Sequence, residues 1–297
     1  MSKATTAPPS YIERLCAELG AIHADYREVL SASKIINVDP NRGRSSGLVV
    51  FMNPVVWAWA GSDPDLDRER MALLRKVRDW EPRFRLLFPH PTPEVAERLD
   101  VHIGRLTRWL IRPKRDKIPG SLTAAAQAID ASVEELLALV KVLPPDAFAV
   151  RLTVDTNTLI DNPDVAVHTA TLGPRYMVHL LPVVLREIDG LKRAGRTELL
   201  RDGAARADRR LKHLRSNGDV LLGVKVAGDV HALFEVVEPR GDQLPSWLDL
   251  DVPDDRFVAS SLLVQSDHPG STLFVATSDI NLQTKLSQVG LPYVELP

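Results

Sequence analysis

The sequence predicts an α/β protein with a mainly parallel sheet in its second half, preceded by a mostly α-helical first half. Apolar residues recur at helical spacing through the first half, and short β-forming runs alternate with helical stretches after it. Between the two regimes lies "LPPDAFAV", residues 143 to 150, where a Pro-Pro pair ends the last helix of the first half. The expected organisation is a helical domain over 1–145 and an α/β domain over 146–297.

Residues 10 to 34 place Ile12, Leu15, Leu19, Ile22, Tyr26, Val29 and Leu30 on one stripe, the pattern of a helix with a single buried face. "DPNRGRSSG" reads as a loop, and the apolar run that follows extends to Ala60. In "DPDLDRERMALLRKVRDW" acids lead and bases follow, the order a helix dipole favours. Further helices are expected at 93 to 112 and 121 to 142, separated by "RPKRDKIPG". After the boundary, "AVRLTV" is a buried strand, and "MVHLLPVVLREIDGLKRAG" holds a strand and then a helix. Residues 197 to 216 form a basic helix, and two strands flank Ala227-Gly228-Asp229. "PDDRFVASSLLVQS", "STLFVATS", "INLQTKLSQVG" and "PYVEL" then give helix, strand, helix and strand.

Composition narrows the function classes. The 297 residues are 44% hydrophobic and 26% charged, with a formal charge of −2, so any polyanion must be met by local patches. Cys16 is the only cysteine, which excludes an intramolecular disulfide and a cysteine-rich zinc site. Neither a leader-like apolar segment nor a run long enough to span a bilayer is present. The expectation is therefore a cytoplasmic protein without a membrane partner.

Candidate chemistry rests on carboxylates. In an open α/β sheet, functional groups gather beyond the carboxyl ends of the strands where direction switches. Asp155 ends the first strand of the second half, in "RLTVDTNTLID", and Asp279 follows "TLFVATS", so both are expected at one rim. Asp255 opens the helix of "PDDRFVAS", and Glu187 lies early in the helix of "PVVLREIDGL". Taken singly, Asp254, Asp255 and Asp279 could each cap a helix, and Glu187 could pair with a base one turn away. Gathered in one pocket they would repel one another unless a cation compensated, and an all-oxygen donor set suits Mg²⁺ or Mn²⁺.

The ordered series "VDTNTLID", "VVLREIDGL", "DDRFVASS" and "FVATSDINL" resembles the PIN domain, a family of metal-dependent nucleases on a Rossmann-like three-layer α/β/α fold. The resemblance covers about the last half of the chain. It implies that Asp155, Glu187, Asp255 and Asp279 are the catalytic, metal-holding acids, with Asp254 the alternative to its neighbour. Asn157, Thr277 and Ser278 would stand around them. It further implies a ribonuclease that hydrolyses RNA phosphodiesters with Mg²⁺ or Mn²⁺. Compared with the smallest toxin-type members, this chain has an extra basic helix and hairpin between Glu187 and Asp255.

That basic segment, "LKRAGRTELLRDGAARADRRLKHLR", offers Arg209, Arg210 and Lys212 as phosphate contacts, against the plainer reading of a solvated helix face. "RLTRWLIRPKRDK" interleaves Trp109 with bases, where a core tryptophan is the expectation. "SLTAAAQAIDASVEELLALV" resembles the closing helices of helix-turn-helix regulators, but no recognition helix precedes it. "RLLFPH" has the Arg and His spacing of HEPN ribonucleases, but Pro89 would break the helix that motif needs. A phosphatase reading of "DTNT" lacks the second aspartate, replaced by Asn157. The alternative to an enzyme is a catalytically silent PIN-fold module that binds nucleic acid or protein. The first half is expected to control access or to recruit a protein partner.

Overall fold

The computed structural model describes residues 8–38, 56–113, 116–236, 238–241, 244–245 and 247–296. The loop expected at 39–47, most of the apolar run before Ala60, and Lys114 and Arg115 lie outside the described residues. The chain divides into two units. One contains the residues up to Arg14, Leu86–Pro89 and the chain from Leu143 onward; the other contains Leu15–Arg85 and His90–Val142.

The helical unit draws on α1 (Tyr11–Ser31), α2 (Pro64–Arg85), α3 (Pro93–Ile111) and α4 (Leu122–Val140). The predicted stripe of α1 is buried from Leu15 through Leu30, and α2 buries Leu73, Val77, Trp80 and Phe84. Thr92 and Ser121 cap α3 and α4 by accepting the amides of Val95 and Ala124. Buried aromatic residues find partners for their polar tips: Trp80 Nε1 donates to the Leu15 carbonyl at 3.0 Å and Tyr26 Oη to the Leu106 carbonyl at 2.9 Å. Trp109 is a core residue, 6% exposed. A pair of short antiparallel strands, β1 (Ile35–Val38) and β2 (Val56–Trp59), was not expected from the sequence.

The α/β unit is built on a six-stranded sheet. Its strands are β3 (Val150–Val154), β4 (Arg175–Leu180), β5 (Val224–Ala227), β6 (Asp229–Phe234), β7 (Thr272–Ala276) and β8 (Tyr293–Val294), in the order β5-β6-β4-β3-β7-β8. All neighbours are parallel except β5 and β6, a hairpin whose Gly228 takes the left-handed φ of 55° that its turn requires. Every residue of β3 is buried, as expected for a strand paired on both sides and covered on both faces. The helices are α5 (Thr156–Asp161), α6 (Thr169–Leu172), α7 (Pro182–Ala194), α8 (Glu198–Leu214), α9 (Pro253–Asp267) and α10 (Ile280–Gln288). Helices α5, α7 and α8 pack on one another, while α9 packs on β7 and α10.

The start of α1 belongs to this unit for a definite reason. The first amides of a helix lack partners inside it. Here Tyr11 donates to the Ser271 carbonyl at 3.0 Å and Ile12 to the Pro269 carbonyl at 3.1 Å, just before β7. The first half of the sequence is therefore not one block; its opening residues group with the sheet.

Candidate active site

The strand order reverses direction at β3. From there the chain proceeds through β4 and β6 on one side and returns through β7 and β8 on the other, so the switch point lies between the carboxyl ends of β3 and β7. Asp155 follows β3 and Asp279 lies shortly after β7, and the Asp155 amide donates to the Ala276 carbonyl at 3.1 Å. A cavity of about 540 Å³ opens there, lined by Asp155, Asn157, Glu187, Asp254 and Asp279. Leu191, Phe257 and Leu282 give it an apolar wall.

Each acid is held by its own element. Asp155 caps α5, with Oδ1 accepting the Thr158 amide at 2.7 Å and Oδ2 accepting the Thr277 hydroxyl at 2.6 Å. It is 7% exposed. Glu187, on α7, accepts a hydrogen bond from the Thr156 hydroxyl. Asp279 caps α10: its Oδ1 accepts the amides of Asn281 at 2.7 Å and Leu282 at 3.2 Å. Its own amide donates to Thr277 Oγ1 at 3.1 Å, so Thr277, fully buried, links both strand-end acids. The plain capping role open to Asp279 is real, and the same residue also lines the cavity. Ser278 is exposed and does not line the cavity.

Asp254 and Asp255 separate. Consecutive helical residues point about 100° apart, so the two side chains leave α9 in different directions. Asp254 lines the cavity. Asp255 is not among the lining residues; it is buried, with Lys285 Nζ of α10 at 2.6 Å from Oδ1 and the Asp249 amide at 2.9 Å from Oδ2. Burial pushes its carboxyl up, but the Lys285 ammonium and the Asp249 amide outweigh this and hold it below the ordinary aspartate value. Lys285 also stands 3.6 Å from Asp254 and so touches both acids. Sequence reasoning missed Lys285, whose only signal was a base in the last turn of "INLQTKL". Thr156 was missed too, although it stands in the quoted "DTNT".

Arg209, Arg210 and Lys212 are on α8 and do not line the acidic cavity. Arg210 lies 3.5 Å from Asp164, and Lys212 pairs with Asp208 at 2.8 Å. Arg209 is exposed. Among the described residues, no group of three or more His, Cys, Asp or Glu side chains is drawn together closely enough to hold a metal ion as placed. No described helix is long and apolar enough to cross a membrane.

Residues 152–296 match the family model of the PIN domain, a span that runs from within β3 through β8 and takes in the whole acidic cavity. The C-terminal half of this chain is a PIN domain, and PIN domains are generally nucleases that typically use divalent metals. The comparison with curated proteins gave no match.

Proposed function

We propose that the PIN domain is a ribonuclease dependent on Mg²⁺ or Mn²⁺, with Asp155, Glu187, Asp254 and Asp279 as its metal-holding acids. One observation carries the reading: carboxylates from separate elements line a single cavity at the topological switch point. Their chemistry fits a hard cation, since every proposed donor is a carboxylate oxygen and no cationic side chain is among the described residues lining the cavity, Lys285 standing beside Asp254 at 3.6 Å. A bound cation would supply Lewis acidity toward a phosphodiester and charge stabilisation for the departing oxygen.

The residues of the chain do the positioning. Thr277 and the Thr158 amide fix both oxygens of Asp155, and Thr156 orients Glu187. Asp255 takes no ion in this reading; paired to Lys285, it sets the first turn of α9 so that Asp254 faces the cavity. The basic face of α8 holds the RNA backbone outside the cavity, with Arg209, Arg210 and Lys212 as its contacts. Phosphate contacts of this kind add affinity without reading sequence.

The test is cleavage of a mixed RNA pool by wild type and Asp155→Asn, with Mg²⁺ or Mn²⁺ and with EDTA. Asparagine retains the shape and one capping oxygen but not the charge, so a loss of at least ~100-fold with the fold intact is expected, by analogy with the removal of other groups that stabilise a transition state. Equal cleavage in EDTA, or an active Asp155→Asn, would sink the proposal. A second reading is a silent PIN-fold module that binds nucleic acid or protein, favoured by the spread of the acids as placed. In that case wild type would bind RNA, leave it uncut, and bind equally well as Asp155→Asn.

A further inference from the structure

The helical unit contains a cavity of about 710 Å³ that the nuclease reading does not use. Trp57, Trp59, Ser62, Arg70, Arg112 and Asp116 are among its walls. Two guanidinium groups converge on one hydroxyl there: Arg70 and Arg112 each donate to Ser62 Oγ at 2.9 Å. Arg70 is otherwise satisfied, by Asp67 at 2.5 Å and the Leu110 carbonyl at 3.1 Å. Arg112 is not. Its remaining neighbours are the Ser33 hydroxyl and the Trp59 ring, 4.6 Å from the guanidinium carbon, and no carboxylate stands within ion-pair distance of it among the described residues.

Two like charges thus share Ser62; Asp67 pairs with Arg70, while Asp116, whose Oδ2 is buried without a hydrogen-bond partner among the described residues, and Lys117 also line the cavity. Burial and the charge of Arg70 pull the Arg112 guanidinium down to about 10, although Tyr26 and Asp67 oppose this. The backbone at Arg112 is left-handed, with φ 54°, a conformation that costs a residue with a side chain. Among the described residues, Arg112 Nε and Trp59 Nε1 are buried without a hydrogen-bond partner. A cation with no ion-pair partner and unpaired donors among the described residues thus lie in one wall, and a ligand with acceptor atoms would satisfy them.

We propose that this cavity binds a nucleotide, its phosphate on Arg112 and the Ser62 hydroxyl and its base against the indoles of Trp57 and Trp59. Ser62 accepts from both arginines, which leaves its own O–H free to donate to a phosphate oxygen. The aromatic wall is set in place by neighbouring structure. Trp109 meets Trp59 edge-on at 5.9 Å, and a Cβ on Gly120 would come within 2.7 Å of Trp57 Nε1, so only glycine leaves room for that indole. Pairing an arginine with flat aromatic faces suits a phosphate joined to a heterocycle better than a phosphate alone. The volume lies within the range of about 300–1,000 Å³ typical of small-ligand cavities. The nucleotide is either free or one unit of an RNA chain.

The full-length protein in EDTA tests this apart from any hydrolysis, and a background with Arg209, Arg210 and Lys212 replaced by Ala separates it from RNA held on α8. Calorimetry and tryptophan fluorescence would follow titration with AMP, UMP, inorganic phosphate and a single-stranded oligoribonucleotide. At least one mononucleotide or the oligoribonucleotide is expected to bind ~10-fold or more tighter than phosphate, a difference that both Arg112→Gln and Ser62→Ala should reduce. An oligoribonucleotide that outbinds both mononucleotides, by a margin that Ser62→Ala removes, assigns the site to an RNA chain; a margin that Ser62→Ala leaves unchanged belongs to α8 and assigns the cavity to the free nucleotide. The proposal is overturned if nucleotide and oligoribonucleotide bind no tighter than phosphate, or if their affinity is the same in Ser62→Ala as in wild type. Ser62→Ala decides alone should Arg112→Gln fail to fold.

Discussion

Asp254 and Asp255 are neighbours in the chain with opposite surroundings, and that difference is measurable. Asp254→Asn should reduce metal-dependent cleavage by at least ~100-fold with little change in melting temperature, the loss expected of a group whose charge serves the reaction. Asp255→Asn should do the reverse, costing about 1–3 kcal/mol because Lys285 and the Asp249 amide lose their charged partner. Paired melting curves and RNA cleavage assays of the two variants check both halves. The strand-end acids were legible in the sequence as carboxylates directly after apolar runs, and each also caps the helix that follows. Which of two adjacent aspartates faces the cavity was not legible, since it depends on the rotational phase of α9, and tertiary contacts such as Lys285 fix that phase.

At the scale of elements, helix α8 has two faces with different tasks. Its inner face packs on α5, where a Cβ on Gly203 would approach Ile160 Cγ2 to 2.6 Å. Gly203→Ala should therefore destabilise the PIN domain by about 1–3 kcal/mol, as overpacking does, despite alanine's better helix propensity; a denaturant melt reads this directly. On the other residues of this helix, the triple replacement of Arg209, Arg210 and Lys212 by Ala should weaken RNA binding uniformly across sequences. It should also flatten the dependence of log K on log salt by about 0.7 for each phosphate left without its cation. An unchanged slope in a filter-binding or anisotropy titration would place the RNA elsewhere. Long periodic helices and the alternating strands of the sheet were readable from the sequence. The six-residue α5 and the β1–β2 pair were not, because one helical turn or four residues of strand leaves no period to detect.

For the molecule as a whole, buried histidines set the acid limit. His179 is fully buried between Arg151, whose guanidinium meets Nε2 at 2.9 Å, and Glu235, 2.6 Å from Nδ1. Burial pulls its imidazole below the ordinary 6.5, with Arg151 and His268 adding to the effect and Glu235 opposing it; burial does the same to His168. A depressed pKa means that the unfolded chain takes up protons first, so this stability is present above 6.5 and declines as pH falls below it. The Asp255 and Asp146 carboxyls, held below 3.8 by Lys285 and by His268 and Arg151 against the effect of burial, add a further loss at lower pH. Thermal melts should thus show a lower transition at about pH 5.5 than at about 7.5, and His179→Gln should flatten that slope. Identical transitions at both values would mean that the histidines take up protons equally in the folded and the unfolded chain. The sheet's two margins carry a different consequence. On one side the last strand, β8, is only two residues long; on the other, β5 is broken in register between Lys225 and Ala227 and presents a lysine. Neither margin offers the long, flat row of unpaired amides and carbonyls on which a stray strand could template itself, so this parallel core is guarded against edge-to-edge aggregation while its chemistry stays open at the strand ends.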